Sequence, residues 1–278
     1  MKKMRIFLYA LIILIPLCVA AFWSGLSVRH YTVTTDKFAP GQSVRAVLIA
    51  DLHSYIWGND QSPLISRIRE QNPDIILLAG DIYDDRTPSK GTELFLAEIV
   101  EIAPVFYVTG NHEYWTWEIE RVKELFRSFG VTVLEDKYVE VTINDISLII
   151  AGVCDSECVA IGSSQKSPTA PSAFGELPDR EEFKIFIIHR PEQAWWYTEY
   201  GFDLVVSGHS HGGQVRIPFL VNGLYAPGQG FLPSIAGGMF ETPDFTHIVS
   251  RGASPAHPRL PRVFNPPEIV VIDIAVAL

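Results

Sequence analysis

Short apolar runs alternate with amphipathic stretches along the first half of the chain. The runs at residues 45–50, 74–79 and 104–109 are four to six mostly apolar positions long, which is typical of buried parallel strands. Between them, residues 61–71 and 91–102 have the length and period of amphipathic helices. Alternation of strands and helices builds a parallel sheet with crossover helices, so we predict a βαβαβ unit here.

The rest of the chain is predicted to be mainly β. A helix is predicted over residues 115–129, ended by Gly130, and a surface loop, with a lid as one interpretation, over the Ser-, Pro-, Gly- and Ala-rich residues 157–179. A short extended stretch is expected over residues 30–43, and a tight turn at Asn144 and Asp145. Strands are predicted at residues 131–134, 138–143, 146–152, 184–188, 203–207, 214–217, 247–250 and 268–274. We therefore predict one α/β domain with mixed sheets, arranged as a two-sheet sandwich.

The N-terminal segment is apolar enough to cross a membrane. Residues 6–28 carry no formal charge, and about 20 apolar residues span a bilayer as a helix. Lys2, Lys3 and Arg5 precede the segment, so the positive-inside rule places the N-terminus in the cytoplasm and the remainder outside. A cleavable signal peptide is the alternative interpretation. We predict an anchor over residues 1–28 in the inner or plasma membrane and an extracytoplasmic catalytic domain over residues 29–278.

Composition excludes several classes of protein. The chain has 278 residues and a net charge of −10, which argues against nonspecific nucleic-acid binding because that needs a basic surface. Three cysteines are too few for a disulfide-rich scaffold. Cys154 and Cys158 remain open as a disulfide, a zinc pair or two unrelated thiols.

Polar residues follow five of the predicted strands in short blocks. The blocks are Asp51-Leu52-His53, Gly80-Asp81-Ile82-Tyr83-Asp84, Gly110-Asn111-His112-Glu113, His189 and Gly208-His209-Ser210-His211. Each block alone would more often be a cap, a turn or a buried histidine. Together, at the ends of strands where α/β ligand sites converge, they predict a site rich in imidazoles and carboxylates.

These blocks resemble the ordered signature of the calcineurin-like metallophosphoesterase superfamily, D-x-H, G-D-x-x-D, G-N-H-[DE], H and G-H-x-H. The resemblance covers about residues 43–274 and is greatest to the membrane-anchored or exported bacterial phosphodiesterases of the YkuE and YaeI type, on residues 208–218, 250–252 and 264–269. Ala50 and Arg190 depart from the commoner residues beside the first and fourth blocks. The resemblance implies a four-layer α/β/β/α sandwich and a binuclear metal centre.

The family pattern also implies roles for individual residues. His112 would be the catalytic histidine that protonates the leaving group, and Asp84 and Glu113 would orient ligating histidines. Asp81 would bridge the two metals. The remaining ligands would be Asp51, His53 and His211 for the first metal and Asn111, His189 and His209 for the second.

The expected chemistry is hydrolysis of a phosphodiester. Imidazoles with a few carboxylates suit manganese, iron or zinc, and two such ions can hold a bridging hydroxide as nucleophile. A UDP-2,3-diacylglucosamine-type lipid pyrophosphate is the alternative substrate, and a non-catalytic, metal-stabilised module at the membrane is the alternative class. A protein phosphatase is disfavoured because Asp85 stands where that family has arginine. The aromatic residues 195–197 are either helix core or a lipid-facing rim.

Overall fold

The computed structural model describes residues 2–160, 174, 177, 181–255 and 261–276. Two six-stranded sheets pack face to face, with helices on their outer faces. Alternate residues of a strand point to opposite sides of a sheet, and the two cores follow this rule. Leu48 and Leu77 lie between the sheets, whereas Ile49 and Leu78 pack against the outer helices. The predicted α/β sandwich is confirmed.

The first sheet contains the predicted parallel unit. Its strands, in chain order, are β1 (Ser27–Thr35), β2 (Ser43–Ile49), β3 (Ile75–Ala79), β4 (Val105–Val108), β5 (Thr132–Val133) and β14 (Glu268–Val276). Across the sheet the order is β1-β14-β2-β3-β4-β5, with β2 to β5 parallel. β14 lies between β1 and β2, antiparallel to β2 and parallel to β1, which is the edge strand on that side.

The second sheet begins with a hairpin. Its strands are β6 (Lys137–Ile143), β7 (Ile146–Gly152), β8 (Phe183–Ile187), β9 (Leu204–Ser207), β12 (Gly238–Glu241) and β13 (Thr246–Val249), in the spatial order β12-β13-β9-β8-β7-β6. Asn144 and Asp145 join β6 to β7 with φ of 51° and 62°, the left-handed pair of a tight hairpin turn. A small ribbon, β10 (Tyr225–Ala226) with β11 (Gly230–Phe231), lies apart from both sheets.

The helices are mostly short. They are α1 (Lys2–Ala21), α2 (Ser62–Arg69), α3 (Lys90–Ile99), α4 (Asn111–Trp115), α5 (Ile119–Ser128) and α6 (Glu157–Ala160), with 3₁₀ helices at Pro191–Tyr200 and His211–Gly213. By length and composition α1 could cross a membrane, since Lys3–Ala21 has a mean hydropathy of 2.4 and is almost wholly exposed.

Several local predictions are wrong. The helix predicted over residues 115–129 begins later than predicted, as α5 at Ile119, because Trp117 has a left-handed φ of 60° between α4 and α5. Residues 214–217 form no strand and make only isolated bridges, since Gln214 also has a positive φ. Apart from α6, Phe174 and Leu177, the predicted loop over residues 157–179 lies outside the described residues.

Two open interpretations receive a structural answer. Tyr197 is buried in the core, so helix core is the correct interpretation for this residue, whereas Trp195 and Trp196 are exposed. Cys154 and Cys158 are buried against Tyr114 as thiols and are not joined by a disulfide. Among the described residues, no potential metal-binding group includes either cysteine.

Candidate metal centre and active site

The polar blocks meet where the carboxyl ends of β2, β3, β4, β8 and β9 come together. Each predicted site residue lies in the segment directly after one of these strands, and the ten are Asp51, His53, Asp81, Asp84, Asn111, His112, Glu113, His189, His209 and His211. Both sheets present their parallel strands with the same end towards this region, which explains how His53 and His211, 158 positions apart, become neighbours.

The backbone at the site is strained. Asp51, His53, Asp81, His209 and His211 all have φ between 46° and 66°, a region that non-glycine residues rarely adopt. Such strain is typical of functional sites, where the surrounding structure enforces it. Gly80 and Gly110 permit the close packing, because a Cβ on the first would collide with the ring of His189 and on the second with the carboxylate of Asp81.

Asp51, His53 and His211 form one cluster. Nε2 of His53 lies 3.3 Å from Nε2 of His211, which in turn lies 3.6 Å from Oδ1 of Asp51. Nδ1 of His53 is 3.3 Å from Oδ1 of Asp84, so Asp84 holds the ring with Nε2 facing the cluster. The backbone N–H of His209 donates to the carboxylate of Asp51 and fixes its position. Three donor atoms thus converge on one point.

A second cluster surrounds Nε2 of His189. Nδ1 of His209 lies 3.1 Å away, and Oδ1 of Asn111 and Oδ2 of Asp81 each lie 3.3 Å away. Nδ1 of His189 donates to the carbonyl of Ala79 at 2.7 Å, which leaves the Nε2 lone pair facing these other donors. Ligands bound at about 2.0–2.2 Å to one ion are themselves about 3 Å apart, so the spacing fits a metal site.

Asp81 lies between the two clusters. Its Oδ2 is 3.3 Å from Nε2 of His189 and 3.9 Å from Nε2 of His53. Its Oδ1 accepts a hydrogen bond from the backbone N–H of His112 at 2.9 Å. One carboxylate therefore faces both groups of ligands.

Glu113 supports Asp81 through the backbone. Its buried carboxylate accepts four backbone N–H groups, those of Asp81, Ile82, Tyr83 and Gly110, at 2.8–3.0 Å. Burial and repulsion by Asp81 raise the pKa of Glu113 to about 7. Glu113 thereby holds the two loops that carry Asp81 and Asn111, and its predicted role of orienting a ligating histidine stays a prediction.

The pKa shifts of the ionisable groups at the site fit the binding of a cation. Burial lowers the pKa of His189, but the nearby Asp81 carboxylate outweighs burial and raises it to about 10. Burial also raises the pKa of Asp51 to about 6. His209 and His211 behave oppositely, because burial lowers their pKa well below the usual value and keeps them neutral. Neutral imidazoles beside carboxylates are the state that metal binding needs, and Nε2 of His209 is buried without a described partner.

His112 is held by a pair of carboxylates. Its Nδ1 lies 2.9 Å from Oδ1 of Asp84 and 2.7 Å from Oδ1 of Asp85. Burial lowers its pKa, but Asp81 and Asp84 more than compensate and raise it to about 9. The ring of Trp115 lies against it, with 4.7 Å between ring centroids. His112 is thus fixed beside His53 and Asp81, and its raised pKa favours the protonated ring.

Two residues near the site were missed by sequence reasoning. Asp85 follows a predicted residue directly, and the Asp84-Asp85 pair was the only available signal. Arg262 is buried near Asp51, with its Nη2 3.2 Å from the position of a Cβ on Gly252. Burial lowers the pKa of Arg262 to about 10, although Asp51 opposes the shift. It lies about 210 positions from Asp51, and no short motif indicates it.

A sequence model of the calcineurin-like phosphoesterases matches residues 44–213, which is more than half of the chain and ends just after His211. The chain belongs to the calcineurin-like phosphoesterase family. It is therefore a hydrolase of phosphoester bonds, and this family uses divalent metal ions. The two Asp/His clusters are where such ions could bind, and their mixed nitrogen and oxygen donors suit manganese, iron or zinc.

Similar phosphoesterases come from bacteria and from a vertebrate. The chain is 30% identical over 257 residues to the uncharacterized metallophosphoesterase YkuE of Bacillus subtilis, covering 90% of this chain and 85% of YkuE. It is 28% identical over 211 residues to phosphodiesterase YaeI of Escherichia coli, covering 74% and 73%. A transmembrane protein with a metallophosphoesterase domain from Danio rerio is 26% identical over 198 residues, which are 66% of this chain and 45% of that protein.

Proposed function

We propose that this phosphoesterase is a binuclear, metal-dependent phosphodiesterase. The observation that carries the proposal is the position of Asp81, whose Oδ2 faces His53 on one side and His189 on the other. Asp51, His53 and His211 would hold one ion, and Asn111, His189 and His209 the other. When bound, the pair of ions would activate a water molecule and neutralise charge on the phosphoryl oxygens.

The residues of the chain would keep this geometry in place. Asp81 would offset positive charge from both sides, and Glu113 would fix the backbone on which Asp81 stands. Asp84 and the carbonyl of Ala79 would hold His53 and His189 with their Nε2 lone pairs facing inwards. Interactions of this kind determine ligand orientation and basicity.

His112 would donate a proton to the leaving group. Its Nδ1 is engaged by Asp84 and Asp85, which leaves Nε2 as the nitrogen available to the substrate. The same carboxylates would stabilise the protonated ring until the leaving group departs. A purely structural metal site would have no need of a histidine arranged in this way.

We also propose that the enzyme is anchored to a membrane. Residues 1–28 would form the anchor, with α1 as the spanning helix, and residues 29–278 the catalytic domain outside the cytoplasm. The resemblance to a transmembrane protein from Danio rerio supports the anchor. The presence of α1 also favours a second candidate substrate, a lipid pyrophosphate of the UDP-2,3-diacylglucosamine kind.

The proposal is tested by assaying purified full-length protein with bis(4-nitrophenyl) phosphate, 4-nitrophenyl phosphate and a lipid pyrophosphate. We expect diester hydrolysis that depends on added Mn²⁺ and stops with a chelator. Faster hydrolysis of the monoester would overturn the diesterase proposal. Preference for the lipid pyrophosphate would favour the second candidate, and absence of turnover with all three would favour the non-catalytic class.

A further inference from the structure

Large apolar side chains are exposed together in the segment after the metal-binding His211. Phe219 is fully exposed, and Leu220, Phe231 and Leu232 are exposed by 82%, 77% and 66%. With Ile217 and Leu224 they make up what we call the apolar surface. A soluble protein rarely exposes large apolar residues in such a group, so this surface indicates an interaction site.

The segment that carries the apolar surface is also uncharged. Residues 217–240 contain no aspartate, glutamate, lysine, arginine or histidine, although the whole chain has 54 charged residues, 22 basic and 32 acidic, among 278. A partner protein that recognises a surface through ion pairs would find none within this segment. The interfacial layer of a lipid bilayer, where headgroups meet acyl chains, by contrast favours uncharged apolar side chains.

The apolar surface is held in a defined shape. Ile217 and Val221 close a tight turn through paired backbone hydrogen bonds, which presents Phe219 at its tip with a left-handed φ of 67°. β10 and β11 form the second support, and the N–H of Leu232 donates to the carbonyl of Leu224. Exposed bulky residues on an ordered, strained turn indicate a built surface rather than a loosely packed loop.

The position of the apolar surface identifies its partner. The N–H of Phe264 donates to the carbonyl of Ala21, the last residue of α1, at 2.7 Å. The preceding residue, Val263, exchanges backbone hydrogen bonds with Gln214 and Arg216, immediately before the apolar turn. The apolar surface is therefore joined through two hydrogen-bonded segments to the point where α1 would leave the bilayer.

We propose that the apolar surface inserts into the interfacial layer of the same lipid bilayer that α1 crosses. The inference rests on the proposed membrane anchor. The insertion would also fix the position of the active site relative to the lipid. The segment of the apolar surface is bonded to the metal-binding loop, because the N–H of Leu224 donates to the carbonyl of Gly213 and the side chain of Gln229 donates to the hydroxyl of Ser210, the residue between His209 and His211. A substrate held in the bilayer surface would then reach the metal centre without leaving the membrane.

Fluorophore quenching tests the insertion directly and needs no enzymatic activity. Full-length protein in lipid nanodiscs is labelled with an environment-sensitive fluorophore at L220C in a Cys18→Ser background, and the lipids carry a shallow spin-label quencher. Cys18 of the unchanged chain is exposed on α1 and serves as the positive control. R121C in the Cys18→Ser background is the negative control. Arg121 is an exposed residue of α5, which packs beside β5. β5 is the edge strand of the first sheet opposite β1, the strand that follows α1.

We expect quenching at position 220 comparable to that at Cys18 and little at position 121. Quenching at 220 as weak as at 121 would overturn the proposal, as would absence of quenching at Cys18, which would remove the anchor itself. Crosslinking of two copies through L220C in place of lipid quenching would identify the surface as a contact between chains and would also overturn it.

A second measurement links the apolar surface to turnover. Replacing Phe219 and Leu220 together by serine should reduce hydrolysis of a vesicle-embedded phosphodiester lipid at least about tenfold, because the bilayer would no longer bury two large apolar side chains. Hydrolysis of bis(4-nitrophenyl) phosphate in solution should stay within about twofold, because neither residue belongs to the metal centre. Equal effects on both substrates would contradict the proposal. Inactivity of the unchanged enzyme would count against the proposed function, while the quenching result would still decide the insertion.

Discussion

Nδ1 of His112 lies 2.7 Å from Oδ1 of Asp85. Asp84 approaches the same nitrogen at 2.9 Å and also reaches Nδ1 of His53 at 3.3 Å. The two adjacent carboxylates therefore differ in what they support. Among the described histidines, Asp85 contacts only His112, the proposed acid, whereas Asp84 also contacts His53, a proposed metal ligand.

This difference predicts distinct effects of two matched substitutions. Asp85→Asn should lower turnover moderately and leave metal content unchanged, because only the charge beside His112 is lost. Asp84→Asn should also weaken metal binding, by roughly 10–100-fold for a residue that orients a ligand. Metal titration and turnover of the two variants check this. Equal loss of metal affinity in both would contradict the separate roles.

Replacing His112 tests its role as general acid. His112→Asn should slow an alkyl phosphodiester by about 10²–10⁴-fold, the usual contribution of a general acid. A nitrophenyl diester should be slowed far less, because its leaving group departs readily as an anion. Rates with both substrates, together with metal content, check the prediction. A uniform loss of rate accompanied by loss of metal would show that His112 maintains the site instead.

The sequence predicts which residues meet at the site better than how they interact. Parallel strands end at a common edge, so Asp51, Asp81 and Asn111 could be placed together from the apolar runs that precede them. The hydrogen bonds of Glu113 could not be predicted, since they depend on the left-handed backbone that Asp81 adopts. Arg262 approaches Asp51 only because β14 returns to pair with β2.

The fold also has features that the sequence predicts and features that it does not. The helical period continues through Trp117, but the left-handed backbone there separates α4 from α5. Thr116 stabilises the break, since its hydroxyl donates to the carbonyl of Glu113 and accepts the N–H of Glu118. Side chains that bond to the backbone compete with helix formation, and a hydrophobic pattern alone does not reveal them.

A buried histidine outside the metal centre should make stability depend on pH. Burial lowers the pKa of His247 to about 3, and its Nε2 is hydrogen-bonded with Ser207. Because the pKa is lower in the folded protein than the 6.5 of an unfolded chain, the unfolded state binds more protons below pH 6.5. The stabilisation is complete above pH 6.5 and is lost progressively towards pH 3.

His247→Asn should remove this dependence. Between pH 7.5 and 4.5 the free energy of unfolding of the unchanged protein should fall by about 2–3 kcal/mol more than that of the variant. Urea unfolding at several pH values checks the difference between the two slopes. Parallel curves would show that His247 does not contribute to acid sensitivity.

The proposed topology predicts the side of the membrane on which the catalytic domain lies. A reporter fused to the C-terminus should behave as extracytoplasmic, because Lys2, Lys3 and Arg5 keep the N-terminus inside. Deletion of residues 1–28 should release the protein from membranes. Finding the C-terminal reporter in the cytoplasm would overturn the proposed localisation.

Metal content of Asp81→Asn, measured together with phosphodiester turnover, tests the binuclear account most directly. The unchanged protein should bind two divalent ions per chain, whereas an amide at position 81 cannot offset the charge of both. Asp74→Asn, at the other end of β3 where Asp74 accepts the N–H of Arg45, is the matched control and should keep both ions. We predict that Asp81→Asn loses at least one ion and that its turnover falls by orders of magnitude. Retention of two ions with near-normal turnover would contradict the central claim that Asp81 joins the two clusters into one catalytic centre.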